Sequence, residues 1–161
     1  MTELVIDASV ALAWCFSDER TEAAARLLER LAAEAASVPA IWHLEIANVL
    51  ALSERRQRIT PADRAEFIAL LETLEIVIDE ETASRAFGRV LDLAREERLT
   101  AYDAAYLELA MRLGVPLSSK DGDLCDAAER HGMVVATRNL RDFAFASVAA
   151  VSPWAARDGN T

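Results

Sequence analysis

Thr2-Glu3-Leu4-Val5-Ile6-Asp7-Ala8-Ser9 decides the reading of the fold. A β-branched apolar run closed by an acid, with helical text following at once over residues 9–16, reads as a buried strand running into a helix. The alternation then repeats. Helical sequence over about 19–36 leads into a short extended stretch, Ser37-Val38-Pro39, and a long helix is expected over 40–56. Thr60-Pro61-Ala62-Asp63 combines a cap, a first-turn proline and a third-position acid, and so opens a helix reaching about residue 73. Residues 74–79 read as a strand and 82–98 as a helix. Thr100-Ala101-Tyr102-Asp103 opens another helix that Gly114 closes. A strand over 115–118, a helix over 122–130 ended by Gly132, and a last strand over 133–136 complete the pattern. Strands separated by helices predict an α/β fold, a three-layer sandwich whose central parallel sheet of about four to five strands is flanked by helices.

A chain of 161 residues suits one well-buried core and is short for two. With 53% hydrophobic residues, five Gly and four Pro, the composition favours a compact helix-rich globule over disorder. The chain enters its first strand without a basic leader or a long apolar stretch, so a cytoplasmic location is expected. Cys15 and Cys125 form neither a disulfide framework nor a zinc pattern and read as packing residues. A net charge of −10 argues against a phosphate-binding surface unless carboxylates gather divalent cations that reverse the local field.

In open parallel sheets the ligand site lies at the carboxyl ends of the strands, where Asp7 ends the first strand and Asp121 closely follows 115–118. On the 101–113 helix Asp103 points to the side of Tyr106, Leu107 and Ala110, while Glu108 and Arg112 lie roughly 140° and 180° away, on what should be the solvent face. On the 40–56 helix Glu45 shares a stripe with Ile41, Val49 and Leu52; Asn48, one turn on, is placed to orient it, and His43 lies opposite. Each acid has a plain alternative. Asp7 and Asp121 can cap the helices that follow them, Asp103 can complete a capping box with Thr100, and Glu45 can pair with an arginine. Together, with no similarly placed lysine, they make a divalent-cation site, and oxygen ligands without His or Cys select Mg²⁺ or Mn²⁺ over zinc. Such a site supports phosphodiester hydrolysis.

The succession Val5-Ile6-Asp7-Ala8-Ser9, Leu44-Glu45-Ile46-Ala47-Asn48-Val49-Leu50, Tyr102-Asp103-Ala104-Ala105-Tyr106 and Pro116-Leu117-Ser118-Ser119-Lys120-Asp121 with Leu124 resembles the PIN-domain toxins of the VapC type. The resemblance covers roughly residues 3–136. It implies a PIN domain core over 1–136 and a C-terminal tail, 137–161, packing on or extending it. It implies a Mg²⁺-dependent endoribonuclease, with Mn²⁺ able to substitute, that is the toxin of a type II toxin–antitoxin module. Asp7, Glu45, Asp103 and Asp121 would then be catalytic and metal-binding, supported by Ser9, Asn48 and Ser119. The implied partners are RNA, a VapB-like antitoxin and a second copy in a homodimer, with no membrane and with DNA reached only through the antitoxin. Asp123 competes with Asp121 as fourth acid. The segment Ala136-Thr137-Arg138-Asn139-Leu140-Arg141-Asp142-Phe143 looks like the end of the FitB-type branch, which would bring in Asn139 or Asp142.

Two histidines, one of them on the far side from Glu45, exclude a Ser-His-Asp hydrolase and a His-based zinc site. No Gly-rich phosphate loop is present. The alternative outside enzymes is a catalytically inactive PIN-like binding module; a phosphatase with Asp7 as nucleophile would want Asp where Ser9 stands. Substrate contacts are expected from Lys120, Arg138 and Arg141 ahead of the Arg55, Arg56 and Arg58 cluster. Trp14, Phe16 and Trp42 read either as core or as anchors for an antitoxin helix.

Overall fold

The computed structural model describes residues 2–137. Four parallel strands, β1 (Thr2–Ile6), β2 (Ala35–Pro39), β3 (Ile76–Asp79) and β4 (Leu117–Ser118), form a sheet in the order β3-β2-β1-β4. Between β1 and β2 run α1 (Ala8–Cys15) and α2 (Glu22–Leu31). Between β2 and β3 run α3 (Trp42–Arg55) and α4 (Pro61–Glu72). Four further segments, α5 (Thr82–Arg85), α6 (Leu91–Glu97), α7 (Ala101–Leu113) and α8 (Gly122–Arg130), complete the described chain. Parallel crossovers are right-handed. The steps from β1 to β2 to β3 therefore place α1–α4 on one face, and the return to β4 places α5–α7 on the other, giving the expected three layers.

Local chemistry sets the helix ends. Thr60 accepts the Asp63 amide at 3.1 Å while Asp63 accepts the Thr60 amide at 2.9 Å, a complete capping box behind Pro61. Gly114 takes φ +65° to close α7, a backbone conformation that glycine adopts without strain.

Three expectations are corrected. Ala35 and Ala36 belong to β2, not to a preceding helix: buried and in register with Thr2 and Leu4, they follow their sheet neighbours over alanine's helix preference. Residues 133–136 form no strand; Val135 makes one parallel bridge to Leu117. The 82–98 helix is interrupted by a π-helical segment, Ala86–Val90, where Gly88 leaves helical geometry at φ −105°, ψ −110° and Phe87 stands exposed.

The core also reassigns two sequence readings. Trp14, Phe16 and Trp42 are all buried, so they are core residues and not surface anchors. Helix α7 has almost no solvent face in its middle. Glu108, expected outside, is buried against Arg112 at 3.0 Å and Arg85 at 3.5 Å, and Arg112 reaches on to Asp79 at 2.9 Å. A helix lying across the sheet and covered by the 86–90 segment, α6 and α8 has to bury its charged back, and the ion pairs make that tolerable.

Candidate active site

Strand order changes direction at β1: the chain moves from β1 to β2 on one side and returns to β4 on the other. A crevice opens at the carboxyl ends of strands flanking such a point. The parallel register pairs Ile6 with Ser118, so the next residues, Asp7 and Ser119, stand side by side on the opposite face. The Asp7 amide donates to the Ser118 carbonyl at 2.9 Å, fixing the end of the pair.

Asp7 is 4% exposed. It occupies the position before α1, but two hydroxyls hold its carboxylate: Ser9 donates to Oδ2 at 2.8 Å and Ser119 donates to the same oxygen at 2.7 Å. Each serine is itself positioned by the loop after β4. Ser9 Oγ accepts the Lys120 amide at 3.0 Å, and Ser119 Oγ accepts the Asp121 amide at 2.9 Å. The Ser119 carbonyl accepts from Thr137 at 2.7 Å and from the Cys125 thiol at 3.4 Å. Cys125 thus helps to shape this loop, a role that its sequence context did not signal.

Glu45, on α3, accepts a hydrogen bond from the Tyr106 hydroxyl of α7 at 2.9 Å. It flanks the buried stripe Trp42, Ile46, Leu50 and Ser53 and is half-buried itself; Ile41, Val49 and Leu52 are only partly buried. Asn48 is exposed and makes no hydrogen bond to Glu45 among the described residues, so Tyr106 takes the orienting position expected of it. Tyr106 lies three residues after Asp103 on the same side of α7, the spacing that marked its place. Asp103 is half-buried at the start of α7, where its amide donates to Thr100 at 3.1 Å. The reciprocal bond of a full capping box, in which the acid accepts the cap residue's backbone amide as Asp63 does at Thr60, is missing there, so the Asp103 carboxylate is held only by the Thr100 side chain.

Asp121 is placed differently. It is exposed at the start of α8, and Oδ1 accepts the Leu124 amide at 2.9 Å, so it serves as a helix cap. Asp123 is exposed one residue into that helix. Lys120 points its ammonium to Glu19, 3.6 Å from Oε2. Arg58 is bound to Asp18 and Glu19 at 3.0 Å each and lies 3.8 Å over the Phe16 ring, which gives it a structural partner. Arg138, Asn139, Arg141 and Asp142 lie outside the described residues.

The three inner acids shift together. Burial raises the Asp7 carboxyl above its ordinary value, only partly offset by the Ser119 and Ser9 hydroxyls and the adjacent amides. Burial pushes Glu45 up to about 7, against the Tyr106 bond, and the charges of Asp7 and Asp103 add to the rise. Asp103 is raised by burial, restrained by Thr100, and raised further by Asp121, Asp7 and Asp123. No lysine or arginine figures among these influences. Among the described residues no three of the acids form a ready-made ligand cage. They act on one another through space, as clustered like charges without a neutralising cation. A set of hard oxygen donors under mutual repulsion fits a divalent metal and fits no other common neutraliser in the described residues.

A family model described as PIN domain matches residues 4–130. The chain belongs to the PIN-domain family. The VapC ribonuclease Mb0985 of Mycobacterium bovis and ribonuclease VapC9 of Mycobacterium tuberculosis are each 32% identical to this PIN domain over 126 residues, covering 78% of this chain and 91% of theirs. The crystal structure of PAE2754 from Pyrobaculum aerophilum shares the fold, with a TM-score of 0.63 at 22% identity over 86% of this chain and 87% of that one. No helix among the described residues is long and apolar enough to cross a membrane.

Proposed function

We propose that this PIN domain is a Mg²⁺-dependent endoribonuclease, with Mn²⁺ able to substitute, acting in the cytoplasm as the toxin of a type II toxin–antitoxin module. The observation that carries the reading is Asp7: a carboxylate 4% exposed at the carboxyl end of β1, held by two serine hydroxyls, with two further inward acids raised by burial and like charge and no cation among the groups that shift them. The relatives named as ribonucleases support the same reaction class.

Asp7, Glu45 and Asp103 would hold the metal, with Asp121 or Asp123 at the outer side. A bound Mg²⁺ supplies a water of lowered pKa and neutralises charge on the phosphoryl oxygens. Ser9 and Ser119 keep the Asp7 carboxylate in one orientation and, by tying it to the 119–121 loop, fix the outer acid relative to the inner ones. Burial excludes water from one side of the acids, which strengthens their pull on a cation. Lys120, with Arg138 and Arg141, would supply the basic contacts to RNA that an acidic chain otherwise lacks.

For partners, we propose a VapB-like antitoxin and a second copy in a homodimer. An apolar groove of about 550 Å³ between α3 and α4, lined by Ile46, Leu50, Ile68, Leu71 and Ile76 over Trp42, supports a site for an amphipathic segment.

The test is cleavage of total cellular RNA by the purified protein with Mg²⁺, with Mn²⁺ and with chelator, followed by sequencing of the new ends. Cleavage that requires the ion and disappears in Asp7→Asn and in Asp103→Asn, with both variants folded, is expected. Equal cleavage by parent and both variants would remove these acids from the site.

A further inference from the structure

Tyr106 is the candidate that the proposed reaction has not absorbed. Its side chain is completely buried, its ring fills the core beside β1, and its hydroxyl is the one group among the described residues that donates to a Glu45 oxygen. The bond spans 61 positions in sequence and joins α7 to α3, the two helices that supply Asp103 and Glu45. The phenol O–H is the donor of this bond and the Glu45 carboxylate oxygen its acceptor.

We propose that Tyr106 is a positioning residue for the metal site, holding one oxygen of Glu45 so that this half-buried carboxylate faces Asp7 and Asp103. The inference rests on the functional reading above and deepens it. Glu45 has three side-chain torsions and no serine hydroxyls of the kind that hold Asp7. On an exposed helix flank it would sample many rotamers, and a cation would have to order it on binding. A donor anchored in a packed ring removes most of that freedom beforehand. The same bond fixes the spacing between α3 and α7 at their site ends. Asn48 offers no substitute, because it is exposed.

Tyr106→Phe keeps the ring and deletes only the donor. The experiment measures equilibrium Mn²⁺ binding by calorimetry, alongside RNA cleavage, for the parent, Tyr106→Phe, Glu45→Gln and the double variant, with thermal melts as controls. Expected are a cooperative melt for Tyr106→Phe and Mn²⁺ affinity weaker by about three- to tenfold, with the metal concentration for half-maximal cleavage rising in parallel. Glu45→Gln should weaken binding further. In its background the Tyr106→Phe effect on Mn²⁺ affinity should vanish, because the amide that Tyr106 then holds carries no charge for the cation. A purely structural tie would give additive losses in the double variant. Unchanged Mn²⁺ affinity in Tyr106→Phe, additive losses, or a variant that no longer melts cooperatively would each overturn the proposal. If the folded parent neither binds Mn²⁺ nor cleaves RNA, the functional reading itself fails and takes this inference with it. A parent that binds and cleaves beside an unaffected Tyr106→Phe refutes the positioning role alone.

Discussion

Replacing Glu45 by glutamine should make the metal-free protein more stable at neutral and alkaline pH while impairing it as an enzyme. The carboxyl is raised from 4.5 to about 7, first by burial and then by Asp7 and Asp103, despite the Tyr106 bond. A raised folded-state value means that the native protein binds the proton more tightly than the unfolded chain does. The stabilisation is therefore fully present below about pH 4.5 and is lost as pH rises through about 7. The whole rise corresponds to about 3 kcal/mol at about 1.4 kcal/mol per pH unit. Because the carboxyl is only half-buried, solvent screening reduces this to about 1–2 kcal/mol. Glutamine keeps the shape, and its carbonyl still accepts from Tyr106, so the difference isolates the charge. Urea unfolding in chelator should give equal stabilities at about pH 4 and below, and by pH 8 an advantage of about 1–2 kcal/mol for the variant, or roughly 2–8 °C in Tm for a chain of this size. Millimolar Mn²⁺ should reverse the order, since only the parent gains the full binding energy. A stability difference that does not change with pH, or a variant less stable at pH 8 in chelator, would refute the claim that Glu45 sits under electrostatic strain.

Asp121→Asn should largely keep the cap of α8, since asparagine caps about as well, while Asp121→Ala should lose about 1 kcal/mol by chemical denaturation. If Asp123→Asn impairs cleavage more than Asp121→Asn, the outer acid is Asp123. Glu108→Gln should destabilise by about 1 kcal/mol, because Arg112 keeps Asp79 and Glu81 and Arg85 keeps Glu81, and should leave Mn²⁺ affinity unchanged; lost affinity would mean that the ion network communicates with the site. Neutralising Lys120, Arg138 and Arg141 together should weaken RNA binding and flatten its salt dependence by roughly one unit of log–log slope per lost phosphate contact. An unchanged slope would move the RNA path toward Arg55 and Arg56.

The sequence by itself determined the layered parallel fold and placed Asp7 at its rim, because period, caps and strand length are local properties. An apolar run ended by Asp7, a Thr-Pro-x-Asp start at Thr60 and a closing Gly114 carry their geometry within a few residues. The inward position of Asp103 followed from helical spacing for the same reason. What covers each face was not local. The spacing on α7 placed Glu108 opposite Asp103 and therefore outside, but the 86–90 segment and α6 lie over that back and bury it. Helical alanines at 35 and 36 became strand because β1 and β3 offered backbone partners on both sides. The partner of Glu45 was beyond sequence altogether: Asn48 was one turn away, whereas Tyr106 was 61 residues distant and became its donor only when α3 and α7 packed at the same end of the sheet. Spacing fixes which way a side chain leaves its own helix, and only tertiary packing decides what stands there to meet it.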